Sequence, residues 1–290
     1  MLSELGNQVS VQRSWDGEEC DLLIALHARR SFPAIQRFRQ KHPLAPLVVA
    51  LTGTDLYGDL EKSAEAMCSL QFASRIVVLQ ALGGEAVPES ERPKVRVIYQ
   101  SFERLSPSPR REESCFQVCI LAHLRSVKDP LRTAYAVREL PASSRIQVKH
   151  AGAVLDPDFA GQVEEEQRTN PRYQWLGPVA HEAAIDLLSR SHVLVLTSHL
   201  EGGANVVSEA IAVSVPVVSS LIPGSVGILG TGYPGYFPVG ESVALREQLL
   251  RAESDDGFYR ELQQSVARLK PLVSVARERE TWGALLTDLS

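Results

Sequence analysis

Glu201 and Glu209 stand eight residues apart in VLVLTSHLEGGANVVSEA, residues 193–210, the stretch of this chain richest in chemical content. An apolar run predicts a strand ending at Thr197, a loop follows from Ser198 to Ala204, and Asn205 opens an apolar helix that carries Glu209. Gly202 and Gly203 allow close backbone approach, and amides at such a helix start hold a phosphate or diphosphate. Carboxylates accept hydrogen bonds from sugar hydroxyls and repel phosphate, so the two glutamates suit sugar and ribose while the amides suit phosphate. The helix macrodipole by itself also accounts for an acid early in a helix, so at this level Glu209 has two explanations.

A second loop, AHLRSVKDP at 122–130, carries Arg125 and Lys128 after another strand end. Asp129 is expected to cap the next helix, with Pro130 at its first position. Two cations there suit a diphosphate that must leave with its charge neutralised, although basic residues in a surface loop are commonly just solvated. Nearer the start, HARRS (27–31) and TGTDLY (52–57) follow two further strand ends. His27 is a candidate partner for a substrate hydroxyl or phosphate, or a structural strand-end histidine. Arg29 and Arg30 are candidates for anion binding or for an exposed helix start; Thr52, Gly53 and Asp55 offer donors and a turn that an Asx turn explains equally well. No Ser-His-Asp order, HExxH, Walker loop or GxGxxG occurs, which removes most support for hydrolase, zinc and dinucleotide readings.

Positioning these loops needs strands and helices in alternation, and the chain supplies them. Continuous apolar runs at 21–26, 46–51, 75–79 and 95–98 predict strands covered on both faces. After a Pro- and Ser-rich charged stretch, further runs lie at 117–122, 145–150, 173–176, 192–197 and 216–219. Between them, 181–191 has helical period, with Ala184, Leu187, Leu188 and Ser191 on one face. The expected fold class is α/β, with two doubly wound Rossmann-like domains facing a cleft: an acceptor-side domain at 1–105, a linker at 106–114, and a nucleotide-sugar-binding domain at 115–274. A C-terminal helix at 275–290 has the first domain as its candidate packing partner. Such sheets bind ligands beyond the carboxyl ends of their strands. At the start, MLSELG reads as the last turn of a helix with Gly6 after it and the strand-like QVSVQ next. The first domain is therefore expected to lack its first strand, through a misassigned start, unless the short helix is the true N-terminus.

Composition excludes other classes. The 290 residues are 44% hydrophobic with 17 Pro and 19 Gly, which rules out disordered and collagen-like chains. A net charge of −5 gives no global attraction to nucleic acid or anionic lipid. No apolar run is long enough for a membrane anchor and the start lacks a signal-peptide pattern, so a cytoplasmic location is expected. The four cysteines, Cys20, Cys68, Cys115 and Cys119, match no zinc or redox spacing; Cys115 and Cys119 flank a strand-like run and are expected to be buried thiols. No metal site is expected, and the oligomeric state is not readable.

Taken in order, DLLIALHA, PLVVALTGTD, ASRIVVLQ, HLRSVKDP, YQWLG and SHLEGGANVVSEA resemble the GT-B glycosyltransferases of the family-4 type. HARRS, LTGTDLY, EGGANVVSEA and IPGSVGILGTGYPGYFPVG look like the selenosugar synthase (SenB-like) branch of selenoneine biosynthesis. The resemblance implies a metal-independent enzyme that takes a UDP-hexose or UDP-N-acetylhexosamine as co-substrate, with no other cofactor, and selenophosphate as acceptor. By the same resemblance His27, Arg125, Lys128 and Glu201 are catalytic. Arg125 and Lys128 lie on the diphosphate and Glu209 on the ribose. Ser198, Glu201, Gly202, Gly203, Ala204 and Asn205 meet the sugar, and Trp175 and Leu176 lie near the base. Arg29, Arg30, Thr52, Gly53 and Asp55 bind the acceptor. His123 and Thr52 stand where many relatives have Arg and His. The other readings are a GT-B enzyme with a hydroxyl acceptor, lipid or polysaccharide, and a non-catalytic nucleotide-sugar-binding protein.

Overall fold

The computed structural model describes residues 1–60, 62–103 and 114–289. The chain divides into two units, one comprising Met1–Ser101, Glu201–Ala204 and Leu272–Ser290, the other Phe102–Leu200 and Asn205–Pro271. The expected linker, 106–114, lies outside the described residues except for Ser114.

In the first unit β1 (Leu23–Leu26), α1 (Phe32–Lys41), β2 (Leu47–Ala50), α2 (Ala64–Phe72), β3 (Arg75–Val78) and β4 (Val95–Val97) build a parallel sheet in the order β1-β2-β3-β4. One face, with Val49, Leu51, Ile76 and Val78, packs on Ile35 and Phe38 of α1 and Leu70 of α2. The other, with Val48, Ala50 and Val77, is covered by Leu285 of the C-terminal helix. Burial on both faces is why these strands carry unbroken apolar runs instead of alternating ones. That terminal helix, Val275–Thr287, is clipped down by Asp288, whose carboxylate takes the guanidinium groups of Arg75 (2.6 Å) and Arg96 (2.7 Å). The two arginines hold the Asp288 carboxyl well below the usual carboxylate range.

The second unit runs β5 (Phe116–Leu121), α3 (Arg132–Arg138), β6 (Ile146–Ala151), α4 (Phe159–Thr169), β7 (Tyr173–Trp175), α5 (His181–Arg190), β8 (Val193–Leu196), α6 (Asn205–Ala212), β9 (Val217–Ser220), α7 (Pro223–Leu229), β10 (Tyr236–Phe237), α8 (Ser242–Ser254) and α9 (Asp256–Leu269). The terminal helix Val275–Thr287 is thus α10. All pairs in this six-stranded sheet are parallel, in the order β10-β9-β8-β5-β6-β7. Successive units lie on one side of β5 and then, from β8 onward, on the other, so the strand order reverses between β5 and β8. This is the doubly wound α/β pattern.

Five expectations change. QVSVQ is not a strand: among the described residues no strand pairs with residues 8–12, and Val9 and Val11 are exposed, because alternation without a hydrogen-bonding neighbour does not hold a strand. MLSELG forms a single 3₁₀ turn, Ser3–Leu5, closed by Gly6 at φ +87°. Asp129 does not cap a helix. It ends a 3₁₀ turn (Ser126–Lys128) at φ +44°, its carboxylate turns to Arg132 at 2.7 Å, and α3 starts two residues later than Pro130 would set it. In α5 the buried face centres on Ile185, Leu188 and Ser189 in place of Ala184 and Leu187. Among the cysteines only Cys119 is fully buried, and burial pushes its thiol up to about 12; the other three are half-buried, and none of the four forms a disulfide among the described residues.

Candidate functional site

Strand order brings the two richest loops together. The loop after β5 and the loop after β8 leave adjacent strands at the reversal of the second sheet, on the carboxyl side. They are tied by backbone contacts: the Thr197 hydroxyl lies 2.8 and 2.9 Å from the carbonyls of Lys128 and Asp129, and the His199 amide donates to Val127 at 2.9 Å. Arg125 and Lys128, both half-buried, flank the Ser126–Lys128 turn. Ser198 is buried, with its carbonyl accepting from the Ser220 hydroxyl at 2.7 Å.

The loop after β5 rests on a buried support that the sequence does not announce. His150 donates from Nε2 to the Ala122 carbonyl (2.8 Å) and accepts at Nδ1 from the Tyr173 hydroxyl (2.7 Å). A carbonyl can only accept, so the proton sits on Nε2 and the ring is neutral. A Cβ on Gly152 would lie 1.9 Å from the Ala122 oxygen, so only glycine permits the crossing of these two loops. The Gly152 carbonyl in turn accepts from the Trp175 indole at 2.9 Å and its amide donates to Gly177 at 2.9 Å. Trp175 is half-buried and Leu176 exposed beside it.

Burial lowers the His150 pKa from 6.5 to about 4. Between these values the unfolded chain binds the extra proton, so stability is complete above about pH 6.5 and falls by about 3 kcal/mol as the pH drops to about 4. His150→Gln should flatten this stretch of the pH–stability curve in denaturant titrations. A slope identical to that of the parent chain would assign the acid sensitivity elsewhere.

Glu209 lies in the second turn of α6 with a mostly buried carboxylate, and His181, first residue of α5, approaches it at 2.8 Å. Asn205, which opens α6, is exposed. Among the residues flanking that helix, Glu201, Gly202, Gly203 and Ala204 belong to the first unit. Glu201 is buried there and engaged. Gly202 and Gly53 pack backbone to backbone: a Cβ on Gly202 would lie 2.5 Å from the Gly53 nitrogen, and one on Gly53 would lie 2.7 Å from the Gly202 nitrogen. A Cβ on Gly203 would meet Leu79.

In the first unit the strand-end loops divide into structural and available groups. His27 sits at φ +76°, a conformation rare for a residue with a side chain, and is buried. Its Nδ1 accepts from the Arg30 amide (3.3 Å), so Nε2 donates to the Thr54 hydroxyl (3.2 Å). Asp55 and Asp59 stand 3.8 and 3.7 Å from the two ring nitrogens. Asp55 is fully buried and accepts from the Thr52 amide and hydroxyl and from the Ala28 amide. It therefore shapes the loop, and the Asx turn extends into a three-donor site with no accessible surface on Asp55. Thr52 shares this role through its hydroxyl at 2.8 Å. Arg29 is claimed by Asp59 at 2.8 Å, which raises its pKa, while the exposed Arg30 side chain has no ion pair among the described residues. Asp59, His150, Gly152, Thr197 and His181 escaped the sequence reading. No local pattern marks them, since each acts on a residue at least 28 positions away or across a strand order not yet known. No group of three or more His, Cys, Asp or Glu that could hold a metal occurs among the described residues, and no helix among them is long and apolar enough to cross a membrane.

The family model of glycosyl transferases group 1 matches residues 101–268, more than half of the chain. No curated protein matches it by sequence. Among solved structures, HepE of Anabaena in complex with UDP has a TM-score of 0.77 at 17% identity, over 92% of this chain and 79% of that one. Sucrose-phosphate synthase from Thermosynechococcus elongatus has a TM-score of 0.71 at 18% identity, over 93% and 73%. The pneumococcal O-GlcNAc transferase GtfA, solved with UDP and GlcNAc, has a TM-score of 0.70 at 14% identity, over 92% of this chain and 56% of that one. At these identities the likeness establishes a shared fold.

Proposed function

The chain belongs to the glycosyl transferases group 1 and has their GT-B fold, and from that premise we propose that it transfers a hexosyl or N-acetylhexosaminyl group from a UDP-sugar to selenophosphate, giving a selenosugar. The observation that carries the donor half is the pairing of the Arg125–Lys128 loop with the loop before α6 at the strand-order reversal of the second sheet. Arg125 and Lys128 take the diphosphate, Glu209 the ribose, Trp175 and Leu176 the base, and Ser198 with the Glu201–Asn205 segment the sugar. Solved neighbours that hold UDP or UDP-glucose support this assignment by analogy of fold.

For the acceptor half, Arg30, which has no ion pair among the described residues and whose amide donates to His27, is the candidate cation, with the Gly53 amide as a further donor. Selenium of selenophosphate is an anionic nucleophile and needs no strong base. A carbon–selenium bond forms as the bond from the anomeric carbon to UDP oxygen breaks, and UDP leaves with the electron pair; the Se-glycosyl selenophosphate so formed gives the selenosugar when water cleaves its selenium–phosphorus bond and inorganic phosphate departs. The protein's part is to neutralise UDP and to position the acceptor. His27, whose two ring nitrogens are both engaged and which is buried, orients the Thr54 hydroxyl and the Arg30 backbone in this scheme. Metal independence and a soluble cytoplasmic setting accompany the proposal.

UDP release from UDP-glucose and UDP-N-acetylglucosamine, measured with and without selenophosphate, tests it. Release that depends on selenophosphate and falls when Arg30→Ala is introduced is the expected result. Equal release with a simple sugar alcohol moves the protein to the hydroxyl-acceptor class, and binding of UDP-sugar with no release under either condition makes it a binding protein.

A further inference from the structure

We propose that His181 is a positioning residue that fixes the carboxylate of Glu209 for the ribose of the nucleotide, an inference that rests on the donor assignment above. The two residues are 28 positions apart, on α5 and α6, and meet only through the fold. Nε2 of His181 donates to Oε1 of Glu209 at 2.8 Å. Glu209 is the buried partner, with 12% of its side chain accessible against 68% for His181, so a solvent-facing ring reaches inward to a carboxylate set in the structure. The ring also meets Phe102, edge to face at 5.9 Å.

The consequence for binding follows from what a carboxylate can do. It accepts and never donates, and its plane turns about a broad, roughly two-fold torsion. With Oε1 held by His181, the plane is set and Oε2, which has no hydrogen-bond partner among the described residues, is left to accept from a vicinal hydroxyl. Without His181 the carboxylate must be ordered by the ligand itself. The loss is that of one restrained rotor, about three- to tenfold in affinity. The effect belongs to the ribose: a diphosphate without a nucleoside does not engage Glu209 and is blind to it.

The test compares UDP, uridine monophosphate and inorganic diphosphate by calorimetry on the full chain, together with UDP-sugar turnover. His181→Ala should weaken UDP and uridine monophosphate by about three- to tenfold, leave diphosphate unchanged, and raise KM with little change in kcat. His181→Gln, which keeps a donor near Nε2, should recover most of the loss. In a Glu209→Ala background, His181→Ala should have no further effect, since the two act as one unit. The inference is overturned if His181→Ala leaves UDP affinity unchanged, tightens it, or weakens UDP and diphosphate alike, or if the effects of His181→Ala and Glu209→Ala are additive. Failure of the donor assignment reads differently: the parent chain itself then binds neither UDP nor uridine monophosphate, and the His181 role goes with it. Because His181 is exposed, its truncation should leave the melting temperature near that of the parent; the Gln variant decides the matter if it does not.

Discussion

Lys128→Ala is expected to weaken UDP ten- to a hundredfold. The Lys128 backbone is fixed independently of its side chain: it closes the Ser126–Lys128 turn, its carbonyl accepts from Thr197, and the neighbouring Val127 carbonyl accepts from the His199 amide. Truncation removes the ammonium while these backbone contacts remain. A charge-assisted hydrogen bond to a diphosphate is worth about 1.5–3 kcal/mol, which is the stated range of affinity. Inorganic diphosphate should lose as much as UDP, because the contact is to phosphate, and raising the salt concentration should narrow the difference between variant and parent. Calorimetric titration of both ligands is the measurement. An unchanged affinity for both would remove the diphosphate assignment from this loop.

Gly202→Ala is expected to lower turnover by about a hundredfold with a modest loss of stability. The added Cβ would fall 2.5 Å from the Gly53 nitrogen and 2.6 Å from the Thr52 carbonyl carbon. Both are backbone atoms and neither can rotate away, so the Glu201–Ala204 segment or the Thr52–Gly53 turn must move. Overpacking of this kind typically costs about 1–3 kcal/mol, and a displacement of about 1 Å at a substrate-positioning loop can cost two orders of magnitude in rate. Gly53→Ala should behave alike, since its Cβ would meet the Gly202 nitrogen at 2.7 Å. Gly161→Ala is the control: it lies in α4 with nothing within 4 Å of the added carbon, and better helix propensity should stabilise the chain slightly. Parental turnover in Gly202→Ala would show that the close approach of the two glycines has no part in catalysis.

Much of the architecture was legible before any coordinates. Nine of the strands coincide with apolar runs read from the sequence, because burial on both faces of a parallel sheet leaves no polar alternation to confuse the pattern. Among the described residues only β10, two residues long, gave no signal, and only QVSVQ gave a false one. The loops that carry chemistry were legible for the same reason: where an apolar run stops before a glycine-rich or charged segment, a strand end is at hand. Helix starts were less secure. Asn205 begins α6 as expected, yet Asp129 went to a left-handed turn because Arg132 offered its carboxylate a partner.

What the sequence determined by itself is therefore the α/β class, the strands and the residue types at their ends. The tertiary structure decided which of those residues are available and which are engaged: Asp55 buried under three donors, Arg29 held by Asp59, Glu209 held by His181, and Gly152 and Gly202 required by the backbone that crosses them. The physical reason is that periodicity along a chain records only whether a position is buried, whereas the neighbour of a loop in a parallel sheet is set by strand order. That β5 lies between β6 and β8 is a property of how the sheet is wound, and it places residues separated by 69 positions, Thr197 and Lys128, within one hydrogen bond of each other.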